Sequence, residues 1–190
     1  AGSATIITTL LNYFAINQKR IVIAQPGYSL FDYHCKTYGI PYEPWLLTLA
    51  LEFDFENLPP LDEKSVLMIT SPNNPTGNTI REKELKELLI AFPQSLIVLD
   101  AVYTEFSDAD HTRLINDFSN LIVLRSFSKA FPVAGLRIGY LCAQASLTAL
   151  IRNLMLLFAL TPFSQLFAQE VLFDAAFQKV NQQKTHPTTV

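Results

Sequence analysis

Thiols and imidazoles, the side chains of disulfide frameworks and of most zinc sites, are few in this 190-residue chain: two cysteines and three histidines. Cys35 and Cys142 lie far apart in apolar surroundings, without the spacing of either, so both are expected as ordinary buried thiols in a reducing compartment. His34, His111 and His186 are scattered and form no ligand pair, and no metal is expected. Charge is sparse as well. Charged residues make up 16% of the chain and the net charge is −3, with no cluster of Lys and Arg. That leaves no basic face for a nucleic-acid backbone, and no nucleic-acid partner is expected. No hydrophobic run is long: the most apolar, residues 154–160, follows Arg152 and is too short to cross a bilayer. No secretory pattern precedes the first element, so the expected location is the cytoplasm, without a membrane partner. Internal repeats and low-complexity segments are missing too.

What the chain does have is apolar content, 49% of its residues, enough for the buried core of one sizeable domain or of a domain with a remnant of another. Apolar runs bounded by turn residues recur at 21–24, 42–47, 66–69, 96–99, 121–124 and 138–142. Their length and Val/Ile/Leu content predict strands buried on both faces. Between them lie helical patterns at Ser3–Ile16, Leu30–Tyr38, 80–91, 145–160 and 163–183. The third is amphipathic, with Ile80, Leu85, Leu88 and Leu89 set against Arg81, Lys83, Glu84 and Lys86. Strands alternating with helices predict an α/β fold, a three-layer sandwich around a mostly parallel mixed sheet. The last residues, 184–190, lose the apolar pattern and contain Pro187, which predicts a frayed tail. The chain starts at Ala1 and enters a helix at once, so it is expected to have lost a leading segment or to belong to a longer polypeptide.

In open α/β sheets ligands sit beyond the carboxyl ends of the strands, which directs attention to the residues after each run. After 66–69 comes Ser71-Pro72-Asn73-Asn74-Pro75-Thr76-Gly77, a rigid turn that either serves the fold alone or holds an amide side chain for a ligand oxygen. After 96–99 comes Asp100-Ala101-Val102-Tyr103-Thr104-Glu105-Phe106. A carboxylate at the end of a buried strand is costly unless paired. It is either a helix cap or ion-pair partner, or it meets a cationic ring nitrogen. After 121–124 comes Arg125-Ser126-Phe127-Ser128-Lys129-Ala130-Phe131-Pro132-Val133-Ala134-Gly135-Leu136-Arg137, where hydroxyls and cations sit among apolar residues. A lone lysine is ordinarily a solvated surface residue. Here Phe127, Ala130, Phe131 and Val133 are expected to dehydrate Lys129 in part, favouring the free amine that attacks carbonyls.

Taken together and in order, Ser71–Gly77, Asp100–Phe106 and Ser126–Arg137 resemble the signature of fold-type I pyridoxal-phosphate (PLP) enzymes. Within these, the chain is similar to the class I/II aminotransferases, most of all the histidinol-phosphate aminotransferase branch, over nearly its whole length. The resemblance implies that Lys129 forms the internal aldimine with PLP and later moves a proton between the substrate Cα and the cofactor. It implies that Asp100 pairs with the ring nitrogen and keeps it protonated, and that Asn74 and Tyr103 hydrogen-bond the phenolate oxygen. Tyr28, in Gln25-Pro26-Gly27-Tyr28, matches the aromatic that stacks on the ring, although a plain core role is the simpler alternative. Ser126, Ser128 and Arg137 match the phosphate site, unless the serines are merely loop caps. The helix start at Gly2, Ser3 and Ala4 is to add backbone N–H groups and a favourable dipole. The chain departs from the family at Ala4 and Thr5, where an acidic residue is common, so only the backbone role carries over there. Asp100-Ala101-Val102-Tyr103 departs mildly from the commoner Asp-Glu-Ala-Tyr but keeps the Asp and the Tyr. The family also tends to a cis bond before the proline that is Pro75 here.

The implied activity is amino-group transfer between an amino acid, or an amino-alcohol phosphate, and a 2-oxo acid. PLP-dependent decarboxylases and carbon–sulfur lyases share the same motifs, and a non-catalytic PLP-binding regulatory domain is a third alternative. Family members are longer, with an N-terminal arm and a C-terminal small domain whose arginine binds the substrate carboxylate. Nothing in residues 145–190 matches that arginine, and Arg152 lies too early. Residues 1–183 are therefore expected to be an incomplete PLP-binding large domain, the fragment alone weak or inactive, and the intact protein a homodimer.

Overall fold

The central strands form because β-branched and leucine side chains fill both faces of the pleat. In the computed structural model, which describes residues 2–131, 133–157 and 159–173, β3 (Ser65–Thr70) and β5 (Leu121–Ser126) are buried at every position. β1 (Arg20–Gln25) is half-buried only at its two ends and β4 (Leu96–Asp100) only at Leu96. They join β2 (Tyr42–Leu46) and β6 (Gly139–Cys142) in one sheet of order β2-β1-β3-β4-β5-β6. All neighbours are parallel except β5 and β6. This is the expected α/β sandwich with a mostly parallel mixed sheet. Two strands correct the expectation of burial on both faces. β2 and β6 close the sheet, and of their residues only Trp45 is buried, because an edge strand has no neighbour on one side.

Alternation along the strands sorts the core into two layers. Ile21, Ile23, Val66, Met68, Val98, Ile122 and Leu124 pack with α1 (Ser3–Ile16) and α2 (Leu30–Tyr38). The helix α1 supplies Ile6, Ile7, Leu10, Leu11 and Phe14, one stripe of its surface. Val22, Leu67, Ile69, Ile97, Leu99, Leu121 and Val123 face the opposite layer, built on α3 (Glu82–Ala91) and Leu114. α3 starts later than its apolar pattern, because Glu84 reaches back to accept from the Arg81 N–H and caps the helix there.

The helix α4 (Ala145–Leu154) is shorter than residues 145–160, since Met155 turns extended. The residue before a proline disfavours helix, and Pro162 suits a first helical position. α5 (Pro162–Phe173) accordingly starts afresh, with the Thr161 hydroxyl accepting from the Ser164 N–H. The remainder of the expected last helix, 174–183, and the tail 184–190 lie outside the described residues. Cys35 is buried, and burial pushes its thiol up to about 11. Cys142 corrects the sequence reading: on edge strand β6 it is only half-buried. Among the described residues no group of His, Cys, Asp or Glu could hold a metal, and no helix is long and apolar enough to cross a membrane.

Candidate active site

The strand rows on the α1 side end in polar residues. Val66, Met68 and Thr70 form one row, Val98 and Asp100 a second, and Ile122, Leu124 and Ser126 a third, with Thr70 beside Asp100 in register. The order in which strands are laid down reverses between the parallel neighbours β1 and β3, and at such a switch ligands bind outside the carboxyl ends of the strands. A polar pocket lies at this rim. It brings together Asp100, Tyr103, Lys129 and Tyr28 with Ser126, Ser128 and Arg137. Ser3 and Ala4 at the start of α1 close one side. A larger, mostly apolar cavity of about 260 Å³ lies behind the same helix start, but only Gly2 of the expected site borders it.

Asp100 is 1% exposed. One of its oxygens, Oδ1, accepts from the Val102 N–H at 3.3 Å, a local cap of the kind the sequence left open. The other, Oδ2, has no partner among the described residues. Burial pushes this carboxyl up to about 7, although the Val102 N–H and the Lys129 charge both pull it down. The Lys129 amine stands 5.2 Å from the centre of the Tyr103 ring. Tyr28 packs edge-on against Phe31, with 5.8 Å between centroids. Its hydroxyl is held above its ordinary pKa by burial and by the Asp100 charge, against Lys129 and Arg137. It is therefore neither plain core nor free surface.

Lys129 itself departs from expectation: it is exposed. Phe127, Ala130, Phe131 and Val133 are buried, but they cluster with Ile138 and Ala168 and not around the amine. Residues adjacent in sequence leave the chain in different directions, so apolar flanks do not dehydrate a side chain between them.

The far end of the pocket is suited to an anion. Helix α1 begins at Gly2, whose φ of 80° is readily adopted only without a side chain. The Arg137 guanidinium lies over Gly2, so closely that a Cβ there would sit 3.0 Å from Nη2. Gly139 allows the approach of the helix start, since its Cβ would fall 2.1 Å from the Ser3 nitrogen. First-turn N–H groups have no carbonyl within their own helix and favour negative charge. Opposite them, the Ser126 hydroxyl accepts from the Ser128 N–H at 3.1 Å.

Asn74 is not in this pocket. It borders an adjoining hollow with Gln25, Pro26 and Gly27, and another shared with Tyr103. Its neighbour Asn73 is 5% exposed and donates to the Pro26 carbonyl and the Thr76 hydroxyl, tying the two turns together. The Asn74–Pro75 bond is cis, as are Gln25–Pro26 and Ser71–Pro72. The sequence reading missed Thr70, which lines the pocket with a buried hydroxyl that has no partner among the described residues. The available signal was a polar residue ending an otherwise apolar strand, one position before the turn where the reading began.

Residues 1–186 match the family model described as aminotransferase class I and II. A histidinol-phosphate aminotransferase of Ruminiclostridium cellulolyticum is 32% identical over 152 residues, covering 77% of this chain and 42% of that protein. The crystal structure of the histidinol-phosphate aminotransferase from Clostridium acetobutylicum superposes with a TM-score of 0.85 at 23% identity, over 96% of this chain and 55% of that one. The enzyme of the same name from Sinorhizobium meliloti, in complex with pyridoxal-5'-phosphate, superposes with a TM-score of 0.78 at 24% identity, over 96% of this chain and 51% of that one. The chain spans less than half the length of the curated relatives it matches.

Proposed function

Because the chain belongs to the class I and II aminotransferase family, we propose that it is the PLP-binding part of an aminotransferase, with Lys129 as the residue that holds the cofactor. The observation that carries this reading is Asp100. A buried carboxyl with one oxygen unpartnered is a standing cost unless a ligand meets it. A pyridine nitrogen bearing a proton supplies the missing donor and charge, so the residues present fit the group.

PLP, when bound, supplies an aldehyde for an amine to capture and a ring that draws electrons from the substrate. The remaining work falls to side chains. Asp100 Oδ2 would accept the ring N–H and keep its proton in place. The Tyr103 hydroxyl would donate to the phenolate oxygen and Tyr28 would cover the ring face, whereas Asn74, which borders the adjoining hollows, would need to turn in to reach the ring. Ser126, Ser128, Arg137 and the N–H groups at Gly2, Ser3 and Ala4 would hold the phosphate, and a guanidinium is able to donate to two oxygens. The Lys129 amine would hold the cofactor's aldehyde and, when free, would move a proton to and from the substrate Cα. The substrates are an amino acid or amino-alcohol phosphate and a 2-oxo acid. In this reading residues 1–183 are the large domain of a cytoplasmic homodimer.

The test is chemical. Incubation with PLP, borohydride reduction and peptide mass mapping should place one phosphopyridoxyl group on Lys129, absent from Lys129→Ala. Equal labelling of the Lys129→Ala chain sinks the assignment.

A further inference from the structure

The other buried charge of the rim lies outside the pocket. Arg125 is 9% exposed and precedes Ser126 in β5, so its side chain leaves by the opposite face of the sheet. Its Nη2 donates to Glu105 Oε1 at 2.7 Å, and both side chains are 11% exposed. Its Nη1 donates to both Asp110 oxygens at 3.2 Å and to the Thr112 hydroxyl at 2.8 Å. One guanidinium thus ties three segments: the end of β5, the 3-10 turn Thr104–Phe106, and the turn leading into Thr112–Asn116.

Two of these segments carry the active site. Glu105 sits in the turn that Tyr103 opens, and Arg125 stands just ahead of the stretch from Ser126 to Lys129. The Tyr103 ring meets the Phe106 ring, 6.3 Å between centroids, and the Lys129 amine at 5.2 Å. These are loose contacts, so the ring is placed by its backbone. The backbone is tied to β5 only at the start of the segment, by Ala101 N–H to Leu124 O at 2.9 Å; beyond it Thr104 N–H to Ala101 O and Phe106 N–H to Tyr103 O stay within one short turn.

We propose that the Arg125–Glu105 ion pair is a positioning device, which fixes Tyr103 opposite Lys129 from the far side of the sheet. Opening the turn separates a buried cation from its carboxylate, and a buried charge without its partner is strongly disfavoured. The turn therefore stays shut, and the Tyr103 hydroxyl and Lys129 amine keep their spacing before any ligand arrives. This role rests on the PLP reading of the pocket.

The experiment combines two readouts on the whole chain: the PLP dissociation constant from absorbance titration, and amide hydrogen exchange over residues 101–107 without cofactor. Glu105→Gln is expected to speed exchange in that segment while leaving β3 protected. It should weaken PLP binding about tenfold, the scale of coupling between residues in one network. In the Tyr103→Phe background the same change should cost nothing further, because its effect passes through Tyr103. Independent losses in the double variant, or unaltered exchange, overturn the proposal in favour of general stabilisation. If Glu105→Gln does not fold, Arg125→Lys carries both readouts, since lysine keeps the charge but cannot grip Glu105 and Asp110 together. A wild-type chain that binds no PLP refutes the functional reading, and the exchange measurement, which needs no cofactor, then decides the clamp.

Discussion

Asp100 and Arg125 stand on adjacent strands at the same rim of the sheet, both nearly sealed from water, and their situations are opposite. Arg125 has two carboxylates and a hydroxyl around it, although its Nε and Glu105 Oε2 have no partner among the described residues. Asp100 has one backbone N–H and an oxygen with nothing to bond among the described residues. They also sit on opposite faces: Arg125 against the 104–116 segment, Asp100 against the pocket. A fold can bury charge either way, but only the charge-paired group contributes to holding the chain together. The carboxyl without a counter-charge is a cost to the chain, and its opening into a polar pocket is what sets it apart from the other unpartnered atoms.

The sharpest way to break this contrast is to remove the paired cation. Arg125→Met leaves Glu105 buried and unpaired, and the free energy of unfolding should fall by about 3–5 kcal/mol in urea titrations. A loss below about 1 kcal/mol would mean that solvent already reaches the pair.

Asp100→Asn should act in the opposite direction. Without a ligand the folded carboxyl keeps its proton up to about pH 7, whereas the unfolded chain releases it near 3.8. Folding therefore retains a proton between those values, and this contribution to stability falls as pH rises from about 4 to 7. Above pH 7 the full penalty is present, at most about 4 kcal/mol at ~1.4 kcal/mol per pH unit. The Asn variant should lose this pH dependence and melt higher than wild type at pH 8, while binding PLP far more weakly. Identical melting curves from pH 4 to 8 for the two chains would remove the contrast altogether.

The smallest effect belongs to Thr70→Val. Deleting a buried hydroxyl that has no partner should raise stability without cofactor by about 1 kcal/mol or less. If the hydroxyl serves the bound state, PLP should protect wild type more than the variant in the same melts. Equal protection makes Thr70 a bystander.

Much of the site was legible in the order of residues, because a parallel sheet delivers its strand ends to one rim. Asp100 and Lys129 stood out among the residues that follow apolar runs, the family resemblance added Tyr103, Ser126, Ser128 and Arg137, and all six line one pocket. The surroundings of those side chains were not legible. The apolar neighbours of Lys129 turn away from it, and Asn74 faces adjoining hollows, because a loop's local sequence does not set where its side chains point. The pairing of Arg125 with Glu105, across 20 positions of sequence, had no local signature at all.

The sequence by itself determined the alternation of elements, the burial of the central strands and the polar rim, since these follow from periodicity and the hydrophobic effect acting on neighbouring residues. Tertiary structure alone decided which charges are paired, which oxygen is left unpartnered, and how closely α1 approaches Gly139. Those outcomes depend on distances between segments far apart along the chain, and such distances exist only once the core has packed.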